Sequence, residues 1–183
     1  AEISGGSGKP MKIYKPNQFE TIIPHLQGRP KWLILGGPAN GNEAQCAREH
    51  WPDIKIVACE PAAILRKWQV EQNDWPEDAL LLPLALWDSV GVKPFRLQTP
   101  DSNPGGSSMM LDRAGELVDV ETVTLDMLDS LHGPFEDALL WLDIEGAELE
   151  ALLGAEKLLE RKAMRWANLE FIERRREVNA KTH

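Results

Sequence analysis

From Lys31 onward the chain alternates short apolar runs with longer amphipathic ones, and no segment repeats. The apolar runs predict strands over 32–35, 54–59, 80–85, 138–142 and 167–172. Between the first two, 42–51 carries a helical pattern closed by Pro52, and 62–73 does the same between the second and third. Strand, helix, strand, helix, strand in that order is the pattern of a parallel sheet with right-handed crossovers.

The stretch between the third and fourth strands breaks this rhythm. Segments 92–98 and 117–125 are rich in β-formers, and the breaker cluster 100–108 (Pro-Asp-Ser-Asn-Pro-Gly-Gly-Ser-Ser) separates them. The reading is an antiparallel strand pair inserted into an otherwise alternating fold. Thr124 then opens a short helix. Over 147–159 a helical spacing places Leu149, Leu152, Leu153 and Leu158 on one face, predicted to pack on the sheet.

Composition narrows the class. A chain of 183 residues, 43% of them hydrophobic, has material for one sizeable core. Residues 1–10 read as a flexible lead or expression remnant and 11–183 as one domain. The lead's Gly-Ser-Gly-Lys is not a phosphate loop, because Pro10 stands where Ser or Thr would hold magnesium and no strand precedes it. A net charge of −9 argues against nucleic acid as a partner and suits a small ligand. Cys46 and Cys59 lack zinc-site spacing, so no metal is expected from them. No run is long enough to span a membrane and no leader pattern opens the chain. The expectation is a soluble, cytoplasmic protein with no membrane partner.

The chemistry concentrates where strands end. The first strand runs into Gly36-Gly37-Pro38-Ala39-Asn40-Gly41, a turn that lets backbone N–H groups approach an anionic group. Pro38 occupies a position where a dinucleotide fingerprint needs glycine. The second strand ends in Glu60-Pro61, and an acid at that tip accepts hydrogen bonds from ribose hydroxyls. The fourth delivers Asp143-Ile144-Glu145-Gly146 and then a helical pattern, with Glu148 placed to offset the helix dipole. His132, in a turn before that strand, is a minor candidate base, and Arg174-Arg175-Arg176 reads as a solvated face.

Taken in order, the glycine turn, Glu60-Pro61, Ala85-Leu86-Trp87-Asp88 with Gly91, Val123-Thr124-Leu125-Asp126, Asp143-Ile144-Glu145-Gly146-Ala147-Glu148 and Leu153-Gly154-Ala155 resemble the FkbM-type family of S-adenosylmethionine-dependent methyltransferases over about 31–173. The resemblance implies an α/β fold: a Rossmann-like class I methyltransferase three-layer sandwich, mostly parallel, that O-methylates a hydroxyl on a sugar or other small metabolite. It also implies site roles. Gly36, Gly37, Asn40 and Gly41 would surround the methionine end of the cofactor, Glu60 with Pro61 the ribose, and Leu86 with Asp88 the adenine. Asp143 would sit beside the methyl group, as catalytic base before Glu145. Ser107 and Ser108, as a lid, and Glu170 are candidates for the acceptor side. Two departures accompany it. The family's acid near the end of the first strand is replaced by Leu33-Ile34-Leu35, and the last two strands of the fold are expected to be missing, which would leave an edge suited to a homodimer. The rival readings are a non-catalytic S-adenosylmethionine-binding scaffold and a nicotinamide-dependent oxidoreductase.

Overall fold

The structure is a computed structural model that describes residues 18–38, 41–72, 75–98, 107–110 and 115–170. In chain order its elements are α1 (Gln18–Ile22), β1 (Trp32–Gly36), α2 (Asn42–His50), β2 (Lys55–Cys59), α3 (Ala63–Gln72), β3 (Leu80–Leu82), β4 (Ala85–Leu86), β5 (Gly91–Leu97), β6 (Glu116–Val123), α4 (Leu125–His132), β7 (Ala138–Leu142), α5 (Glu148–Leu153), α6 (Glu156–Glu160) and β8 (Met164–Leu169). Strands β3-β2-β1-β7-β8 form one sheet in which every pairing is parallel. The antiparallel pair predicted in the insertion is present as β5 and β6, which with β4 make a separate small sheet.

The main sheet is covered on both faces, which is why β1 and β7 are buried at every position and read as unbroken apolar runs. Side chains alternate between the faces. Ile34, Leu140 and Leu142 pack with Leu125, Leu128 and Leu158 of α4 and α6. On the other face, Leu33, Leu35 and Trp141 pack with Phe19, Ala44 and Cys46 of α1 and α2. Helix α1 was not foreseen, because a single turn carries little periodicity. Phe19 nevertheless anchors it, with its ring 5.1 Å from that of Trp141.

Three predicted elements need correction. The run 80–85 is not one strand: Leu80–Leu82 joins the main sheet, whereas Ala85–Leu86 pairs with Thr122 and Val123 in the small one. Pro83, which has no N–H to continue a ladder, stands between them. The last strand begins at Met164, three residues before the predicted start, and 171–172 lie outside the described residues. The predicted helix 147–159 is two helices, and Leu149 and Leu153 are 60% and 62% exposed rather than core. The break is at Gly154, whose carbonyl accepts the Asp126 N–H while the Asp126 carboxylate caps Lys157 N and Leu158 N at 3.0 Å each. A fresh cap restarts the helix in a new phase, so Leu158 is buried and the α5 leucines at 149 and 153 turn outward.

Candidate active site

The order β3-β2-β1-β7-β8 reverses direction between β1 and β7, and an open parallel sheet has its ligand crevice at the carboxyl ends of the strands flanking such a switch. Two loops meet there. Asp143 N donates to Gly36 O (3.1 Å), and Gly37 N donates to Cys59 O (3.0 Å). Gly37 has φ +68°, and a Cβ on it would run into the Asp143 carbonyl oxygen. Glycine is therefore required for the two loops to touch. Gly36 serves the packing beneath: a Cβ would come within 2.8 Å of Leu142 and 2.9 Å of Leu86. Gly41, at φ +72°, precedes the first turn of α2, and its N–H closes the turn on Pro38 O. Gln69 of α3 fastens the same carbonyl from the other side at 3.0 Å. Asn40 lies outside the described residues.

A cleft of about 450 Å³, counting its open mouth, follows this edge. Its polar wall is Gly37, Glu60 and Asp143, and its apolar wall includes Pro61, Leu65, Leu86, Phe95 and Met109. The Glu60 side chain is buried, and its Oε1 accepts the Ala62 N–H at 2.9 Å. Burial pushes its carboxyl up to about 7, against the opposing effects of the Ala62 hydrogen bond and the Arg66 charge. Arg66 is itself held in place by the carbonyls of Glu60 and Pro61, at 2.6 and 2.7 Å.

Asp143 leads a loop built around carboxylates. Its carboxyl is hydrogen-bonded to Glu170, which follows β8. Enclosure by protein atoms, then the Glu170 hydrogen bond and charge, then the charges of Glu145 and Glu43 lift it well above the ordinary carboxylate range. Glu145 takes φ +55°, rare for a residue with a side chain, and Gly146 follows at +97°. Two contacts hold that shape. Glu148 is buried, and its Oε1 accepts Ile144 N and Gly146 N, both at 3.2 Å. Ser108 Oγ donates to the Glu145 carbonyl at 2.8 Å and accepts Met110 N at 2.9 Å. Glu148 is thus the organiser of the loop, in addition to standing in the first turn of α5.

The structure brings together Gly37, Glu60, Pro61, Leu86, Ser107 and Asp143 as cleft lining, with Glu145, Ser108 and Glu170 directly behind. It does not bring Asp88, which is exposed, outside the lining and bonded to its neighbour Ser89 at 2.7 Å. His132 is not brought there either. It ends α4 before the amino end of β7, a strand length of roughly 17 Å away from the carboxyl edge. The run 174–176 lies outside the described residues. Phe95 and Met109 were missed, since nothing local shows that the small sheet folds over the cleft. Among the described residues no group of three His, Cys, Asp or Glu side chains is gathered as metal ligands would be. Nor is any helix among them long and apolar enough to cross a membrane.

A doubly covered parallel sheet with a glycine turn, a buried acid after β2 and a carboxylate loop at its switch point defines a Rossmann-like α/β class. Within that class the chain belongs to the FkbM methyltransferases: the model of the methyltransferase FkbM domain matches residues 36–180. No curated protein and no solved structure gives a significant match.

Proposed function

We propose that this methyltransferase takes its methyl group from S-adenosylmethionine and delivers it to a hydroxyl of a sugar or other small metabolite. The observation that carries the reading is the convergence of Gly37, Glu60 and Asp143 on one cleft at the switch point. The residues fit such a cofactor on structural grounds. A Cβ at Gly37 would collide with the Asp143 carbonyl and force the two loops apart, a buried Glu60 carboxylate lines the cleft, and a second carboxylate oxygen, Glu43 Oε2, is sealed from solvent without a hydrogen-bond partner.

When bound, S-adenosylmethionine supplies an electrophilic methyl carbon on a positively charged sulfur. The chain's own contribution is orientation and proton handling. Glu60 accepts ribose hydroxyls, with Pro61, Leu65 and Leu86 giving an apolar seat for the base. Enclosure, the hydrogen bond to Glu170 and the neighbouring carboxylates favour the protonated form of Asp143 in the free protein, and a positive charge brought beside it favours its ionised form. The carboxylate can then accept the acceptor's hydroxyl proton as the oxygen attacks. Glu145, whose carbonyl is tethered to Ser108, supports the same negative field.

Calorimetric titration with S-adenosylmethionine, S-adenosylhomocysteine and NADH tests the cofactor. Saturable binding of the first two without the third is expected, followed by transfer of a labelled methyl group to a hydroxylated acceptor. Binding of NADH alone would replace this reading with an oxidoreductase, and cofactor binding without transfer to any acceptor would leave a scaffold.

A further inference from the structure

The small sheet and the carboxylate loop meet at one hydroxyl. Ser108 is 1% exposed, and its Oγ donates to the Glu145 carbonyl at 2.8 Å while accepting Met110 N at 2.9 Å. A serine hydroxyl carries a single proton, so the donor of Ser108 is committed to that carbonyl and does not serve a molecule in the cleft. The Ser108 backbone is fixed independently. Ser108 N donates to Arg96 O at 3.1 Å and Arg96 N to Ser108 O at 2.8 Å, which ties the residue to β5.

What the hydroxyl holds is the most constrained bend of the site. Glu145 stands at φ +55°, a conformation that a residue with a side chain keeps only where its surroundings enforce it. Glu148 holds the N–H groups on either side, those of Ile144 and Gly146. The carbonyl of Glu145 itself is held by Ser108. Asp143 lies two residues before that carbonyl and is anchored by its own N–H to Gly36 O. Residues 143–145 therefore run between an anchor on the main sheet and an anchor on the small one. On the other side of the same hydroxyl, the turn from Ser108 to Met110 sets Met109 into the cleft wall, packed on the core of the small sheet.

We infer that Ser108 is a positioning residue for methyl transfer, acting through Glu145 to hold Asp143 in place and through Met110 to set Met109 in the cleft, without touching either reactant. Its catalytic meaning rests on the S-adenosylmethionine reading above, whereas the mechanical tie is measurable without any ligand. Asp143 faces Glu170, Glu145 and Glu43. Loosening the bend admits water and lets these carboxylates part, so every influence that lifts the Asp143 carboxyl weakens.

The test follows the Asp143 side-chain carboxyl by NMR titration in ligand-free wild type, Ser108→Ala and Thr122→Val. Thr122→Val removes a hydroxyl equally buried in the small sheet, whose bond goes to Ser89 O at 2.8 Å rather than to the carboxylate loop. The Asp143 midpoint should fall by about one pH unit or more in Ser108→Ala and stay at the wild-type value in Thr122→Val. The Ile144 and Gly146 amides should exchange with solvent about tenfold or more faster in Ser108→Ala alone. Calorimetry with S-adenosylhomocysteine should give affinities within about threefold of each other for Ser108→Ala and wild type, since Gly37, Glu60 and Pro61 are untouched. An unmoved midpoint in Ser108→Ala, or an equal shift in Thr122→Val, overturns the assignment. So does loss of S-adenosylhomocysteine binding by Ser108→Ala, which would show a collapsed cleft instead of a misplaced acid. Should Ser108→Ala not fold, wild-type exchange decides: the Met110 and Gly146 amides should open with the same urea dependence, and separate openings overturn the tie. A wild type that binds no S-adenosylhomocysteine removes the cofactor reading and the catalytic role of Ser108 with it, whatever the carboxyl titrations show.

Discussion

Replacing Glu60 by glutamine should make the ligand-free protein more stable at pH 8 and leave it unchanged near pH 4. The glutamine keeps an oxygen for the Ala62 N–H, so the perturbation is mainly the loss of a titratable charge. The wild-type carboxyl is moved from its ordinary 4.5 up to about 7 by burial. Below about pH 4.5 both folded and unfolded chains hold this proton, and the residue exerts no pH-dependent penalty. As pH rises from 4.5 through 7 the unfolded chain ionises first, so stability falls until the folded carboxyl has also ionised. The loss levels off at about 3 kcal/mol above pH 7, from 1.36 kcal/mol per pH unit of displacement. For a chain of this size it corresponds to roughly 6–12 °C in melting temperature. Thermal or urea unfolding of both proteins from pH 4 to 8 measures it. The two curves should separate across that window, with the variant above. Parallel curves would refute the argument, since they would mean that Glu60 is as well solvated in the fold as in the open chain. The same variant should bind S-adenosylmethionine more weakly, the opposite sign from its stability gain.

Asp143→Asn preserves shape and a hydrogen bond toward Glu170 yet removes the proton acceptor. Methyl transfer should fall about a hundredfold or more with cofactor affinity changed far less, as radiometric kinetics and calorimetry together would show. Gly37→Ala forces a Cβ against the Asp143 carbonyl at positive φ, so cofactor binding should be lost and the melting point lowered by the equivalent of about 1–3 kcal/mol. Glu148→Ala strips the acceptor from Ile144 N and Gly146 N. Urea unfolding should register about 1–3 kcal/mol of lost stability, and turnover should drop with it, whereas a free-standing dipole carboxylate would cost only tenths.

The strands of the main sheet were legible because β1 and β7 are buried on both faces, which makes them continuous apolar runs that no surface element imitates. The positions of Gly37, Glu60 and Asp143 were legible for a related reason: a strand end and a charged or glycine residue after it are both local facts. What escaped depended on contacts distant in sequence. Whether Leu149 faces the sheet is decided by Asp126 capping α6, which lies some thirty residues beyond it, and no helical count contains that information. Ser107 and Ser108 were read as a lid from loop composition. The structure shows Ser107 lining the cleft and Ser108 bridged to Arg96 and bonded to Glu145, contacts that local sequence cannot supply. Pro83 was visible but outweighed by the leucines around it.

Among the described residues the small sheet exchanges no ladder hydrogen bonds with the main one, yet it supplies Phe95 to the cleft and, through the Arg96–Ser108 bridge, holds the segment carrying Met109. In sequence it lies between β3 and β7, without interrupting the strands that carry Gly37, Glu60 and Asp143. If the function proposed above holds, the small sheet can vary or be exchanged among relatives as a cassette, changing one wall of the cleft while the residues proposed to hold the methyl donor are inherited whole.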